Sequence, residues 1–221
     1  LHCLNLINQF GFVTNLCGQE KGIMQTDLLN TRQVLLPTQN IVLYLPPATA
    51  ISRNSGEEMY WARLWPTALA MAAFIDRQPE WVRGQRCLEL GAGLGLVSFT
   101  AARYAASVLA SDLSVDSLLV MEKTKQAGAF DNVTVLQIDW AAVPTELAFE
   151  VILLSDVNYD PAAFASLSAT LRMFLQQGKK IILGSPQRLV AKSFLQPFMS
   201  HCMQQHNDEV EGQAVSIFVL A

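Results

Sequence analysis

The chain has 221 residues, 51% of them hydrophobic and only 15% charged, a composition that excludes a disordered tail and supplies one sizeable core. Its formal charge is −4 and its lysines and arginines are scattered, apart from short clusters such as Lys179-Lys180, which excludes a broad nucleic-acid surface built on clustered positive charge. Four separated cysteines (Cys3, Cys17, Cys87, Cys202) without a C-x-x-C pair, and histidines without metal-ligand spacing, speak against a metal site or disulfide framework and for a reducing cytoplasm.

In chain order, VLLP and IVLYLPP predict two short strands joined by Thr38-Gln39-Asn40, and the turn-rich residues 46–58 predict a loop. The N-terminal stretch has no basic start and is broken by Asn and Gln, so no signal peptide is expected. The near-apolar run from Leu64 to Ile75 is too short to span a bilayer and contains Pro66, so it predicts a helix with Pro66 in its first turn, ending near Asp76. From Arg86 the pattern becomes strand, loop, helix, repeated. RCLEL, SVLAS, VTVLQI, FEVILLS and KKIILGS predict five strands, with helices in LVSFTAARYAA, from Ser114 to Gln126, and after Asp160-Pro161. In that last helix Phe164, Leu167, Leu171 and Leu175 form the apolar face and Gly178 the end. A helix around 189–202 and a hairpin turning at Glu211-Gly212 close the chain.

Strands apolar on both faces that alternate with helices imply a parallel sheet covered on both sides. The expected fold is therefore α/β and Rossmann-like: a seven-stranded, mostly parallel sheet with an antiparallel C-terminal hairpin. Residues 1–60 are expected to form a small N-terminal lobe or cover, and residues 61–221 the cofactor-binding domain.

Such sheets bind ligands at the carboxyl ends of their strands. The first core strand ends in Glu89-Leu-Gly91-Ala-Gly93-Leu-Gly95, whose glycines allow a tight turn and close approach to a ligand. A dinucleotide fingerprint counted from Gly91 fails at Leu96, and one counted from Gly93 puts Ser98 in the third glycine's place. A carboxylate at Glu89 would repel a pyrophosphate but suits an ammonium or sulfonium group, and S-adenosylmethionine carries both. Asp112, ending the next strand, suits ribose hydroxyls, while Asp139-Trp140, after the third, offers an adenine amino group an acceptor and an aromatic face. Singly, each has a plainer reading as a cap, a solvated acid or core. Three acids at successive strand ends behind a glycine loop favour the cofactor.

The segments YWARLWPTALAMAAFI, RCLELGAGLGLVSFTAAR, LASDLS, QIDW and LLSDVNYDP resemble the seven-strand, class I methyltransferases, and among them the protein-lysine methyltransferase branch that includes enzymes acting on the electron-transfer flavoprotein β-subunit. The resemblance implies that Glu89, Gly91, Gly93 and Gly95 surround the methionine part of S-adenosylmethionine, with Trp65 lining that end and Ser155 joining the cofactor set. It gives Asp112 the ribose, Asp139 and Trp140 the adenine, and Asp156 and Tyr159 the methyl acceptor; S-adenosylhomocysteine is the product. Thr67-Ala68 stands where relatives often carry two glycines, and some relatives with this layout methylate arginine.

For Asp156 and Tyr159 the chemistry is concrete: a carboxylate holds an incoming amine by charge-assisted hydrogen bonding, and a phenol ring completes the pocket by cation–π attraction. The plainer alternative makes Asp156 a turn cap and Tyr159 packing; Asp160 is assigned to capping. A nucleic-acid-base acceptor is disfavoured because both prolines of the Asp/Asn-Pro-Pro-Tyr motif are missing. The expected function is S-adenosylmethionine-dependent methyl transfer to a protein side-chain nitrogen, with lysine the expected acceptor and neither nucleic acid nor membrane as partner. The alternatives are a small-molecule N-methyltransferase, a non-catalytic binding or scaffold protein and, last, a nicotinamide oxidoreductase.

Overall fold

The computed structural model describes residues 6–7, 13–14, 28–47, 59–144, 146–157, 161–187 and 189–221. Two antiparallel strand pairs come first: β1 (Leu6–Ile7) with β2 (Val13–Thr14), then β3 (Asn30–Leu35) with β4 (Asn40–Leu45). Helix α1 (Pro66–Arg77) follows, then β5 (Arg86–Leu90), α2 (Leu96–Ala102), β6 (Ser107–Asp112), α3 (Val115–Gly128), β7 (Val133–Gln137), β8 (Val151–Ser155), α4 (Phe164–Gln176), β9 (Lys180–Pro186), α5 (Leu189–Leu195), β10 (Cys202–Val210) and β11 (Gln213–Leu220). Strands β5 to β11 form one seven-stranded sheet in the order β10-β11-β9-β8-β5-β6-β7. The pairs β9–β8, β8–β5, β5–β6 and β6–β7 are parallel, whereas β11 runs antiparallel to both β9 and β10. This is the Rossmann-like architecture expected, antiparallel hairpin included. Its turn, Glu211-Gly212, has φ of 52° and 75°, the pair of left-handed residues that a two-residue hairpin needs to match strand twist.

Alternation along the buried strands divides the core in two. Cys87, Val108, Leu153, Ile182 and Ile217 face α1, α2 and α3; Leu88, Leu109, Ile152, Leu183 and Phe218 face the side covered by α4 and α5. Burying each such aliphatic or aromatic side chain contributes about 1.5–3 kcal/mol. Val34, Ile41 and Leu43 of the β3–β4 hairpin belong to the first of these clusters. The hairpin turn is held by a buried carboxylate: Asp76, near the end of α1, accepts from Thr38 N (2.6 Å), Thr38 Oγ1 (2.9 Å), Gln39 Nε2 (2.8 Å) and Tyr104 Oη (2.7 Å). Burial alone would raise this acid; the four donors outweigh it and hold it below its ordinary value.

Three elements differ from expectation for local reasons. Helix α2 stops at Ala102, before the turn at Arg103-Tyr104. Helix α4 begins at Phe164, after a 3₁₀ turn over Pro161–Ala163, and buries Leu167, Leu171 and Phe174 while Phe164 and Leu175 sit at the rim; Asp160 lies outside the described residues. The helix expected over 189–202 is α5 followed by a 3₁₀ segment, Gln196–His201, because Pro197 interrupts the α-helical ladder.

Candidate active site

Chain order runs β5, β6, β7 to one side, then returns to place β8 and β9 on the other, so the order of the parallel strands across the sheet reverses between β5 and β8. Crevices at such a point, outside the carboxyl ends of the strands, are where open α/β sheets hold ligands. The glycine loop leaves β5 there, and Asp156 leaves β8.

Internal hydrogen bonds fix the loop. Ala92 N donates to Ser111 O (2.8 Å), Ser117 Oγ to Gly93 O (2.6 Å) and Gly93 N to Asp112 Oδ2 (2.8 Å), which ties the loop to the tip of β6 and to α3. Gly93 has φ of 56°, and a Cβ there would lie 3.1 Å from Trp61 O, so the segment before α1 crosses the loop at van der Waals distance. Gly95, φ 79°, is the N-cap of α2; a Cβ on it would lie 2.7 Å from the Phe99 ring and 3.1 Å from Met121. At Gly91 the nearest atoms are the Trp140 ring and Val157 Cγ1, both 3.3 Å from a Cβ position, which brings the ends of β7 and β8 against the loop.

The acids are placed differently from one another. Glu89 is only 1% exposed, and its Oε2 accepts from Ser98 N (2.8 Å) and Ser98 Oγ (2.5 Å) in the first turn of α2. Burial pushes this carboxyl up to about 8; Ser98 pulls it back and the nearby Asp112 adds to the rise. The carboxylate that sequence sets at the cofactor's cationic end is thus turned into the α2 interface, because Ser98 offers it an amide and a hydroxyl together. Asp112 accepts from Gly93 N and, at 2.9 Å, from Ser114 N. Burial raises it above its ordinary value, with the backbone donors pulling the other way. Leu113, beside it, is 63% exposed at the strand tip. Asp139 is exposed and caps the short turn Trp140–Ala142 by accepting from Ala141 N (2.8 Å).

Trp65 is the N-cap of α1, and its Nε1 donates to Tyr60 O (2.9 Å) while the Arg63 guanidinium lies 5.5 Å from its ring centre. On the other side of the reversal, Ser155 Oγ is buried without a hydrogen-bond partner among the described residues. Asp156, 8% exposed, has φ of 55° and donates its amide to Gly184 O (3.0 Å). A left-handed non-glycine residue at a strand end is uncommon, and such backbone is concentrated at ligand sites. Tyr159 lies outside the described residues.

The structure thus gathers the glycine loop, Asp112, Trp140 and the end of β8 together at the carboxyl ends of the strands, and engages Glu89, Asp139 and Trp65 in local contacts. Sequence reasoning did not assign Ser98, Ser117 and Val157. Ser98 carried a usable signal, since it stands one turn into the helix after a strand-tip acid; Val157 carried none. Among the described residues no three or more His, Cys, Asp or Glu side chains are grouped to hold a metal, and no helix is long and apolar enough to cross a membrane.

Fold and site together define a seven-strand methyltransferase architecture. Residues 48–204 match the lysine methyltransferase family model, and the chain belongs to that family. It is 28% identical over 128 residues to the histone-arginine methyltransferase METTL23 of Mus musculus (55% of this chain, 51% of that protein). To the electron transfer flavoprotein beta subunit lysine methyltransferase of Danio rerio it is 26% identical over 172 residues (75% and 66%). The T. thermophilus 16S rRNA N2 G1207 methyltransferase (RsmC), solved with AdoMet and guanosine, superposes with a TM-score of 0.61 at 18% identity, over 88% of this chain and 51% of that one. The chain spans about half to two thirds of the length of the curated relatives it matches. Membership carries the cofactor with it: methyltransferases of this family draw the methyl group from S-adenosylmethionine.

Proposed function

We propose that this protein transfers a methyl group from S-adenosylmethionine to a side-chain nitrogen of a protein, with lysine as the acceptor. Bound, the cofactor supplies an electrophilic methyl group on a sulfonium. The residues present fit it: the three glycines carry the left-handed turns that fold the loop at the carboxyl end of β5, and Asp112, fixed by two backbone N–H groups, keeps further lone pairs for ribose hydroxyls. The free oxygen of Asp139 and the Trp140 face suit the adenine, with Leu113 beside Asp112 as further apolar cover. Trp65 and Ser155 line the methionine end. Glu89 serves by fixing Ser98, and with it the start of α2 and the geometry of the loop.

Asp156 carries the reading of the acceptor side. Its buried carboxyl, held in left-handed backbone at the end of β8, is a fixed acceptor for the N–H groups of an incoming amine. Lysine must arrive neutral to offer its lone pair, and positioning that lone pair in line with the methyl group is the main help the protein gives. The proton leaves to water, and Tyr159 is assigned to the methyl acceptor. Residues 1–60 are assigned to covering the 61–221 cofactor domain. The separated cysteines and scattered basic residues support a cytoplasmic enzyme with a protein rather than a nucleic-acid partner.

The test is transfer of labelled methyl to an extract of the source cells, with wild type and Asp156→Asn in parallel. A discrete labelled protein absent in the variant is expected, and digestion identifies the residue. Label confined to small molecules would replace the protein acceptor by a metabolite. An arginine acceptor is the second reading, favoured by the similarity to histone-arginine methyltransferases, and the same digestion distinguishes it.

A further inference from the structure

Beside the proposed acceptor site, on the α5 side of the sheet, lies a cavity of about 340 Å³ that none of the roles above uses. Its lining includes Gln187, Lys192 of α5, Ser216 and Phe218 of β11, and Gln205 and Asn207 of β10. The register puts Asn207 opposite Ser216 and Gln205 opposite Phe218, so the two cross-strand pairs present one face to it. The cavity starts close to Asp156: the Asp156 amide donates to Gly184 O, and the next residue of β9, Ser185, already lines the cavity. Strand residues advance by about 3.3 Å, so a neighbour of a side chain held at Asp156 comes within reach of it.

The polar groups form a chain with a fixed sense. Gln187 Nε2 donates to Ser216 Oγ (3.0 Å), Ser216 Oγ donates to Asn207 Oδ1 (2.8 Å), and Gln205 Nε2 donates to the same oxygen (3.0 Å). With its oxygen accepting two bonds, Asn207 has its amide N–H groups left to offer a ligand. Lys192 is exposed and, among the described residues, makes no ion pair and is the one charged residue in the lining. The cavity therefore presents an ammonium and amide N–H donors, the glutamine carbonyls as acceptors, and Phe218 as an apolar wall. A carboxylate takes the ammonium and amide donors, and the peptide N–H beside it takes a glutamine carbonyl.

We propose that this cavity binds an acidic side chain of the acceptor polypeptide, close to the residue that is methylated, and so selects acceptors by their flanking charge. The inference rests on the protein-methyltransferase reading and names a substrate class for it.

The experiment uses short lysine-centred peptides in which each flanking position in turn carries Glu, Gln or Lys. Methyl transfer to each is measured with wild type, Lys192→Glu and Asn207→Asp; their norleucine counterparts are titrated in parallel by fluorescence polarisation. At one flanking position wild type should prefer Glu over Gln by about three- to tenfold, the effect of a partly exposed ion pair with one charge-assisted hydrogen bond. Lys192→Glu should reverse the preference towards Lys, and Asn207→Asp should abolish it, with S-adenosylmethionine affinity unchanged in both. Equal use of Glu, Gln and Lys by wild type, or a preference that survives Lys192→Glu, overturns the proposal. Peptide binding with the expected charge preference but no transfer anywhere keeps the cavity's assignment and overturns the catalytic reading instead. Failure of every peptide to bind overturns the assignment.

Discussion

The two sides of the reversal in strand order are finished differently. On the β5–β6–β7 side the glycine loop and its neighbours are held in place by internal hydrogen bonds: Gly93 bonds to Asp112, Ser117 to Gly93, Ser98 to Glu89, and Asp139 to its own turn. On the β8–β9 side the structure holds a left-handed Asp156, buried hydroxyls of Ser155 and Thr67 without hydrogen-bond partners among the described residues, and an open polar cavity. Buried polar groups are normally satisfied, so where they are not, a ligand, a water or a mechanism is the usual reason. The contrast suits a two-substrate enzyme. One side is preorganised for a ligand that never changes; the other keeps unspent hydrogen-bonding capacity for a partner that arrives and leaves.

The sharpest way to break this contrast is on the acceptor side. Asp156→Asn keeps a residue that tolerates left-handed backbone while removing the charge. It should lower methyl transfer roughly 10²-fold or more, as loss of acceptor positioning does, with S-adenosylmethionine affinity unchanged by calorimetry. An equal loss of cofactor affinity would show that the two sides are not separable. The matching change on the cofactor side is Gly95→Ala, which sets a methyl group 2.7 Å from Phe99 in a backbone with φ of 79°. It should cost about 1–3 kcal/mol of stability, read from the denaturant midpoint, and weaken cofactor binding along with it.

The same contrast explains how much was legible in the sequence. The sheet, its helices and the glycine loop were readable because each rests on local periodicity or on turn chemistry, down to Glu211-Gly212. The candidate residues were readable as strand-tip positions. What each side chain does there was not, since that depends on partners distant in sequence. Glu89 looks like a free strand-tip acid until α2 brings Ser98 onto it, and nothing in the sequence shows that one oxygen of Asp139 caps the turn at Trp140. The cavity beyond Gly184 is built from β9, α5, β10 and β11 together and has no motif at all.

Glu89 permits a sharper test of the cofactor side by pH. Its folded value of about 8 lies above the ordinary 4.5, so the native state binds a proton that the unfolded chain has released. Its contribution to stability is therefore fully present below 4.5 and is lost as the pH rises towards 8. Within that window the slope reaches about 1.4 kcal/mol per pH unit for one proton. Urea midpoints at pH 5, 6.5 and 8 should fall more steeply for wild type than for Glu89→Gln, which carries no titrating group. Parallel slopes would mean that Glu89 ionises freely, and its placement against Ser98 would then not govern the loop.

The smallest expected effect tests whether the unspent capacity on the acceptor side costs stability. Thr67, fully buried in the first turn of α1, presses its methyl group against Gly184, where a Cβ would lie 2.9 Å from it, while its hydroxyl has no hydrogen-bond partner among the described residues. Gly184 pairs with Ser155 in register, so Thr67 packs on the strand beside Ser155, just behind Asp156. Thr67→Val preserves shape and removes the polar atom. A buried hydroxyl left without a partner carries a desolvation penalty of about 1–3 kcal/mol, so the variant should gain stability up to about that amount in the denaturant midpoint. A loss instead would mean that a water bridges Thr67 and Ser155, and that this side is closed internally as the other is. Transfer rate separates the remaining cases: a stabilised variant with slowed transfer identifies the hydroxyl as capacity held for a ligand, and one with unchanged transfer shows that the Thr67 hydroxyl has no part in the reaction.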